Sequence, residues 1–354
     1  MSAAANTTPG TTPGTTPTIT PGTTTTTHRP DAAAASASTA SRSTATGMPR
    51  HHAAIFIALL TAGLFAPFFL YPVFLMKVMC FALFACAFNL LLGYTGLLSF
   101  GHAAYFGGAS YVSAHAAKVW GLSPELAILA GVSAAIILGL VIGALAIRRQ
   151  GIYFAMVTLA FAQMVFFFSL QAPFTGGEDG IQAVPRGHLF GLISLRSDFT
   201  LYFVVLAIAL GGMLAIHRII HSPFGQVLKA IRENEARATS LGYRVNRYKL
   251  ATFVLSAGFA GLAGATKTIV FQLASLTDVH WSMSGEVVLM TLIGGLGTVF
   301  GPIVGATVIV AMQNYLATFG AWVAIIQGVI FVITVLLFRE GIVGMISKWT
   351  GKRL

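Results

Sequence analysis

From residue 53 to residue 338 the chain is a succession of long apolar runs broken by short polar joints. A bilayer core about 30 Å thick takes about 20 residues of helix, and roughly ten such runs fit. They lie at 53–71, 73–92, 97–117, 126–147, 152–171, 199–217, 249–271, 284–298, 300–318 and 321–338. The runs are continuous rather than alternating, which favours helices over a barrel, and in lipid only those two forms satisfy the backbone. Charged residues make up 9% of the chain, against roughly 25% in a soluble domain. Such a chain cannot clothe an ordinary water-facing surface. The expected fold is therefore all-α: a polytopic transmembrane helical protein of about 10 spans. The run at 97–117 is Gly-rich and polar, and that at 284–298 is short enough for a half-helix or a re-entrant segment.

Lys and Arg number 21 against 10 Asp and Glu, a net charge of +11. The excess is spread thinly between apolar runs, which argues for a membrane and against nucleic acid. Arg50, Arg148, Arg149, the stretch from Arg218 to Lys249, and Lys348, Lys352 and Arg353 all fall on one side if the spans are as assigned. The positive-inside rule makes that side cytoplasmic, together with both termini. Glu178, Asp179 and Asp278 then face outward. Residues 1–50 are a Thr/Pro/Ala/Ser tail with near-repeats such as TTPGTTPG. Such a segment buries too little surface to offset its ordering entropy and is expected to be disordered. Met48 opens MPRHH directly before the first apolar run and is a candidate start.

Enzyme-like patterns fail on inspection. Gly264-Ala-Thr-Lys267-Thr268 lacks the Gly-Lys-Ser/Thr adjacency of a phosphate-binding loop and lies in an apolar helix, where small residues suit close packing. Gly295-Leu-Gly297-Thr-Val-Phe-Gly301 has the wrong last spacing for a dinucleotide fingerprint. No Cys or His pair has zinc-ligand spacing near another, and Cys80 and Cys86, six apart on one helix, read as packing residues. The expectation is a chain with no catalytic residues, no cofactor and no metal.

The one long polar stretch inside the apolar region is informative. Ser222-Pro223 is a helix start, and residues 224–237 carry Phe224, Val227, Leu228 and Ile231 on one face with Lys229, Arg232, Glu233 and Arg237 mostly on the other. Gly242 fits a helix stop. A short amphipathic helix suits docking of a soluble partner or anchoring at a membrane surface, and physics alone does not separate these.

Four blocks carry a resemblance: LLGYTGLLSFGHAAYFGGASYV at 91–112, TGGEDGI at 175–181, SPFGQVLKAIRENEARATSLGY at 222–243 and LIGGLGTVFGPIVGA at 292–306. In this order they resemble the LivM-type permeases, membrane subunits of ATP-binding-cassette importers for branched-chain amino acids, over about residues 52–345. The resemblance implies a bacterial inner-membrane subunit. Its partners would be a second homologous permease, two cytoplasmic ATPases and a periplasmic solute-binding protein. It also implies that the loop helix sits in a cleft of the ATPase, with Ser222, Phe224, Gly225, Arg232, Glu233, Glu235 and Gly242 as coupling residues. The importer motif, Glu-Ala-Ala then Gly after three residues, is degenerate here: Glu235-Ala236-Arg237 is followed by Gly242 one residue late.

Two glycine-rich blocks, around 93–108 and 294–305, can pack helices tightly or break them to expose backbone to a polar solute. The segment 89–105 is the expected pathway wall, with Asn89, Thr95, Ser99, His102 and Tyr105 as polar groups. Lys77, Lys118 and Lys267 are expected to anchor span ends, and Glu286 is a candidate functional carboxylate. Glu178 and Asp179 form an acidic outer loop that either contacts the binding protein or is simply a turn. Urea, short amides or other amino acids are alternative cargoes. A gradient-driven secondary transporter is the alternative mechanism, with Glu286 its one obvious carboxylate.

Overall fold

The computed structural model describes residues 50–191, 193–320, 322–337 and 341–350. The expected disordered tail before Arg50, the candidate start Met48, and Lys352 and Arg353 lie outside the described residues. The remainder is a helical bundle in which each of the expected runs overlaps one helix.

α1 (Arg50–Phe65) leads into α2 (Pro72–Thr95), which begins on proline and stops where Gly96 turns left-handed at φ +76°. α3 (His102–Lys118), α4 (Pro124–Ala146) and α5 (Ile152–Gln171) follow. α6 (Asp198–His221) ends in the polar elements α7 (Pro223–Glu233) and α8 (Glu235–Ser240). α9 (Val245–Phe271), α10 (Trp281–Gly294), α11 (Gly301–Tyr315), α12 (Trp322–Leu337) and α13 (Gly341–Thr350) complete the chain.

Five of the described helices, α2, α4, α5, α6 and α9, are long and apolar enough to cross a bilayer. Two expected runs are reshaped by glycine. Residues 97–101 are not helical, so the third run begins only at His102. The run expected at 284–298 is a helix over Trp281–Gly294, cut short by Gly295 at φ +121° and Gly297 at φ +74°. At 1.5 Å per residue its 14 residues span about 21 Å, less than a bilayer core.

α9 is the hub and packs against α2, α3 and α4. Small residues let the backbones close in: a Cβ on Gly264 would run into the Phe106 carbonyl, and one on Gly261 into Ala135 and Ala109. This is the packing role that the sequence assigned to the Gly264 motif. Phe84 on Phe106, with ring centroids 4.4 Å apart, and Tyr105 edge-on to Phe253 at 5.6 Å fill the centre. Cys80 and Cys86 are buried as free thiols.

The outside is apolar too. Leu129, Ile137, Leu140, Val141 and Leu145 of α4 and Met156, Met164, Phe167 and Phe168 of α5 are exposed. Exposed apolar faces of that extent suit hydrocarbon, not water. At one end of the bundle the basic loops collect. At the other, β1 (Ile181–Gln182) pairs antiparallel with β4 (Leu273–Ala274), and β2 (His188–Leu189) forms a hairpin with β3 (Ile193–Ser194).

Candidate functional site

At the basic end, Ser222 caps α7: its Oγ accepts from the Gly225 amide at 3.4 Å. Gly225 lies so close to the α6 terminus that a Cβ would strike the Ile220 carbonyl. Leu228 and Ile231 are buried, and Phe224 is half-buried, stacked on Tyr248 at 5.6 Å. The apolar face is thus the one the spacing called for. The single helix over 224–237 is corrected, however. Asn234 is extended, at φ −157° and ψ 100°, and its side chain accepts from the Arg237 amide at 2.9 Å. Asn234 therefore ends α7 and restarts the chain as α8, because an Asn side chain competes with the helix for backbone amides. Gly242, at φ +88°, follows α8 in a left-handed turn, as expected of a helix stop.

The polar side chains of three residues tie this segment to the bundle. Arg232 of α7 donates from Nη1 to the Gly93 carbonyl at the end of α2. Lys229 Nζ lies 5.7 Å above the Tyr94 ring. Glu235 of α8 pairs with Lys249 of α9 at 2.7 Å and accepts from Gln150 Nε2, in the α4–α5 connection, at 3.3 Å. Two clefts flank the segment. One, of about 420 Å³, is lined by Gly93, Tyr94, Lys229, Arg232, Glu233 and Gly297. The other, of about 490 Å³, includes Gln150, Glu235, Thr239 and Arg244. Glu233 is exposed on the first.

The expected pathway residues are brought together around α2, α3 and α9. All five are buried, and none lines either cleft. Asn89 acts as a clamp: Nδ2 donates to the Thr298 carbonyl at 2.8 Å, and Oδ1 accepts from the Gly297 amide at 3.0 Å. This fastens α2 to the turn between α10 and α11. Ser99 Oγ accepts from the Gly101 amide at 3.2 Å and shapes the start of α3. His102 Nε2 lies 2.8 Å from Ser256 Oγ, which in turn donates to the Ala87 carbonyl at 2.6 Å. Thr95 Oγ1 and Tyr105 Oη are buried without hydrogen-bond partners. Such orphans call for a ligand, a water or a rearrangement.

At the opposite end, Glu178 and Asp179 form a 3-10 turn, Gly177–Asp179, that touches a second such turn, Leu276–Asp278. Asp278 is not on the outer surface but 1% exposed, and it pairs with Lys267. Lys267 is thus an ion-pair member rather than a span-end anchor. A lone buried carboxylate is far costlier than a paired one, which is why the two meet. Lys118 does reach out of its helix end, donating to the Gln182 carbonyl at 2.8 Å. The sequence reading missed Arg232–Gly93, Asn89–Gly297 and Lys267–Asp278. Only the last had a signal: two opposite charges bracketing one short apolar connection.

Apolar faces outside, buried polar clamps inside and a polar amphipathic element at one end define a multi-pass helical membrane protein. The chain belongs to the branched-chain amino acid transport system permease component family, whose pattern matches residues 70–336. It is 28% identical over 292 residues to the high-affinity branched-chain amino acid transport system permease protein LivM of Salmonella typhimurium, covering 75% of this chain and 68% of that protein. LivM of Escherichia coli is 28% identical over 291 residues, with the same coverage. The ribose import permease RbsC of Bacillus subtilis is 29% identical over 195 residues, 51% of this chain and 58% of that protein. No solved structure matches the chain.

Proposed function

We propose that this chain is one of two homologous permease subunits of an ATP-driven importer. It carries branched-chain amino acids handed over by a periplasmic binding protein and is worked by two cytoplasmic ABC ATPases. The alignment to the LivM proteins covers 75% of the chain against 51% for the ribose permease, which favours an amino acid over a sugar. The basic end is cytoplasmic, and the acidic turn of Glu178 and Asp179 meets the binding protein.

The observation that carries the reading is the bond from Arg232 to Gly93 beside the Asn89 clamp. An ATPase that closes on α7 and α8 displaces a stiff element, because Leu228 and Ile231 seat it on the bundle. Arg232 passes that displacement to the end of α2, next to the left-handed turn at Gly96. Asn89 passes it on to the turn at 295–300, which joins the two short helices α10 and α11. Glycine turns absorb such changes in φ and ψ, so the two breaks are the hinges. The buried groups of Thr95, Ser99, His102 and Tyr105 lie just beyond them, in the segment we assign to the pathway wall.

The test is leucine uptake by proteoliposomes holding the whole complex, with binding protein outside and ATP inside. Uptake that requires ATP and survives a proton uncoupler is the expected result. Uptake driven by an ion gradient without the ATPases would replace this reading with a secondary transporter. Substituting Glu235 or Gly242 is expected to uncouple hydrolysis from uptake, and unchanged coupling in both variants would count against the assignment of 222–242.

A further inference from the structure

The charges near the acidic end do more than their number suggests. Lys77 is the sixth residue of α2, and Lys267 lies four residues before the end of α9. At 1.5 Å per residue both sit about 6–8 Å inside the helix ends. Lys77, Lys267, Asp278 and Glu286 lie within electrostatic reach of one another. Lys267 and Asp278 are paired, yet Asp278 Oδ2 is buried with no hydrogen-bond partner. Glu286 accepts from Gln313 Nε2 at 3.0 Å, and Lys77 has no hydrogen bond or ion pair among the described residues.

Lys77 and Glu286 are only half-covered by their own chain. Ionised groups at that depth do not face hydrocarbon; they face another protein surface or a wet path. Both signs are present on this one face, beside the half-buried Phe74 and the exposed Tyr315, whose rings lie 6.1 Å apart. The acidic turn of Glu178 and Asp179 touches the turn that carries Asp278, and β1 pairs with β4 just before that turn.

From this geometry we propose that Lys77, Glu286, Lys267 and Asp278 form a receiving station for a free amino acid, just inside the mouth at which the binding protein docks. Lys77 meets the α-carboxylate, Glu286 meets the α-ammonium, the Lys267–Asp278 pair behind them fixes the local charge, and the aliphatic side chain lies toward Phe74 and Tyr315. A sugar or urea has neither charge to offer. The second permease subunit closes the open side. This rests on the importer reading above and adds where its cargo first binds.

The experiment uses the complete complex in proteoliposomes. Glu286→Gln and Lys77→Met are each expected to lower leucine uptake about tenfold, the effect of losing roughly one charge contact, and Glu286→Asp is expected to recover most of it. In a background of Cys80→Ala and Cys86→Ala, Glu286→Cys is expected to react with a membrane-impermeant thiosulfonate, more slowly while leucine is being delivered. Unchanged uptake in both neutral variants would overturn the station. So would a Glu286→Cys thiol that stays unlabelled, which marks a dry subunit contact. Wild-type vesicles that take up no amino acid would instead remove the importer reading itself.

Discussion

The two ends of the bundle hold their charges in opposite ways. At the basic end Arg232 and Lys229 reach a carbonyl and a ring from a segment that is mostly exposed. At the acidic end Asp278 is buried in the bundle and pairs with a largely covered Lys267. The first arrangement can be pulled on from outside and still find water. The second holds only while both partners stay in place. On the importer reading we propose, the first end moves with a partner and the second holds a fixed level of charge.

The largest expected effect lies at the closed end. Asp278→Ala leaves the largely covered Lys267 cation without its partner, a change that costs about 3–5 kcal/mol. The unfolding temperature in detergent should fall sharply. Adding Lys267→Met should recover most of the loss, because removing both charges is close to neutral. A fall that Lys267→Met does not repair would break the contrast between the ends.

Next come two glycines that sit in corresponding places. A Cβ on Gly107 would collide with the backbone of Asp278 and Val279, and one on Gly93 with the Asn89 side chain and the Gly297 amide. Overpacking of this kind costs about 1–3 kcal/mol. Gly107→Ala is expected to show mainly in unfolding temperature, and Gly93→Ala mainly in leucine moved per ATP. The same readout for both would blur the distinction. The smallest effect on stability belongs to Glu235→Gln. The Glu235 side chain is 35% exposed, so losing its pair with Lys249 costs about 1 kcal/mol or less, and salt shrinks that further. Unfolding in low and high salt measures it.

The sequence and the structure part company along the same divide. The helices were legible because the bilayer dictates a length and an apolar content, and each run overlaps a helix. Ser222-Pro223 was legible as a start because cap and proline act locally. Asn234 was not, since an Asn inside an amphipathic pattern looks the same whether it sits in the helix or caps the next one. The true start of α3 at His102 was hidden because Leu97 and Leu98 continue the apolar pattern while the backbone has already turned at Gly96. Asn89 read as a polar wall residue, but its partners lie more than 200 positions away, at Gly297 and Thr298. Nothing in spacing reports a contact of that range. Asp278 read as a surface charge because a polar residue between two spans usually is one.

The central claim is that motion of α7 reaches the bundle through the Arg232 side chain. Its most direct test is the ratio of leucine transported to ATP hydrolysed by the full complex carrying Arg232→Ala. We expect that ratio to drop about tenfold, in keeping with the loss of one charge-assisted hydrogen bond, with Arg232→Lys intermediate. An Arg232→Ala complex that moves as much leucine per ATP as the unaltered one would contradict it.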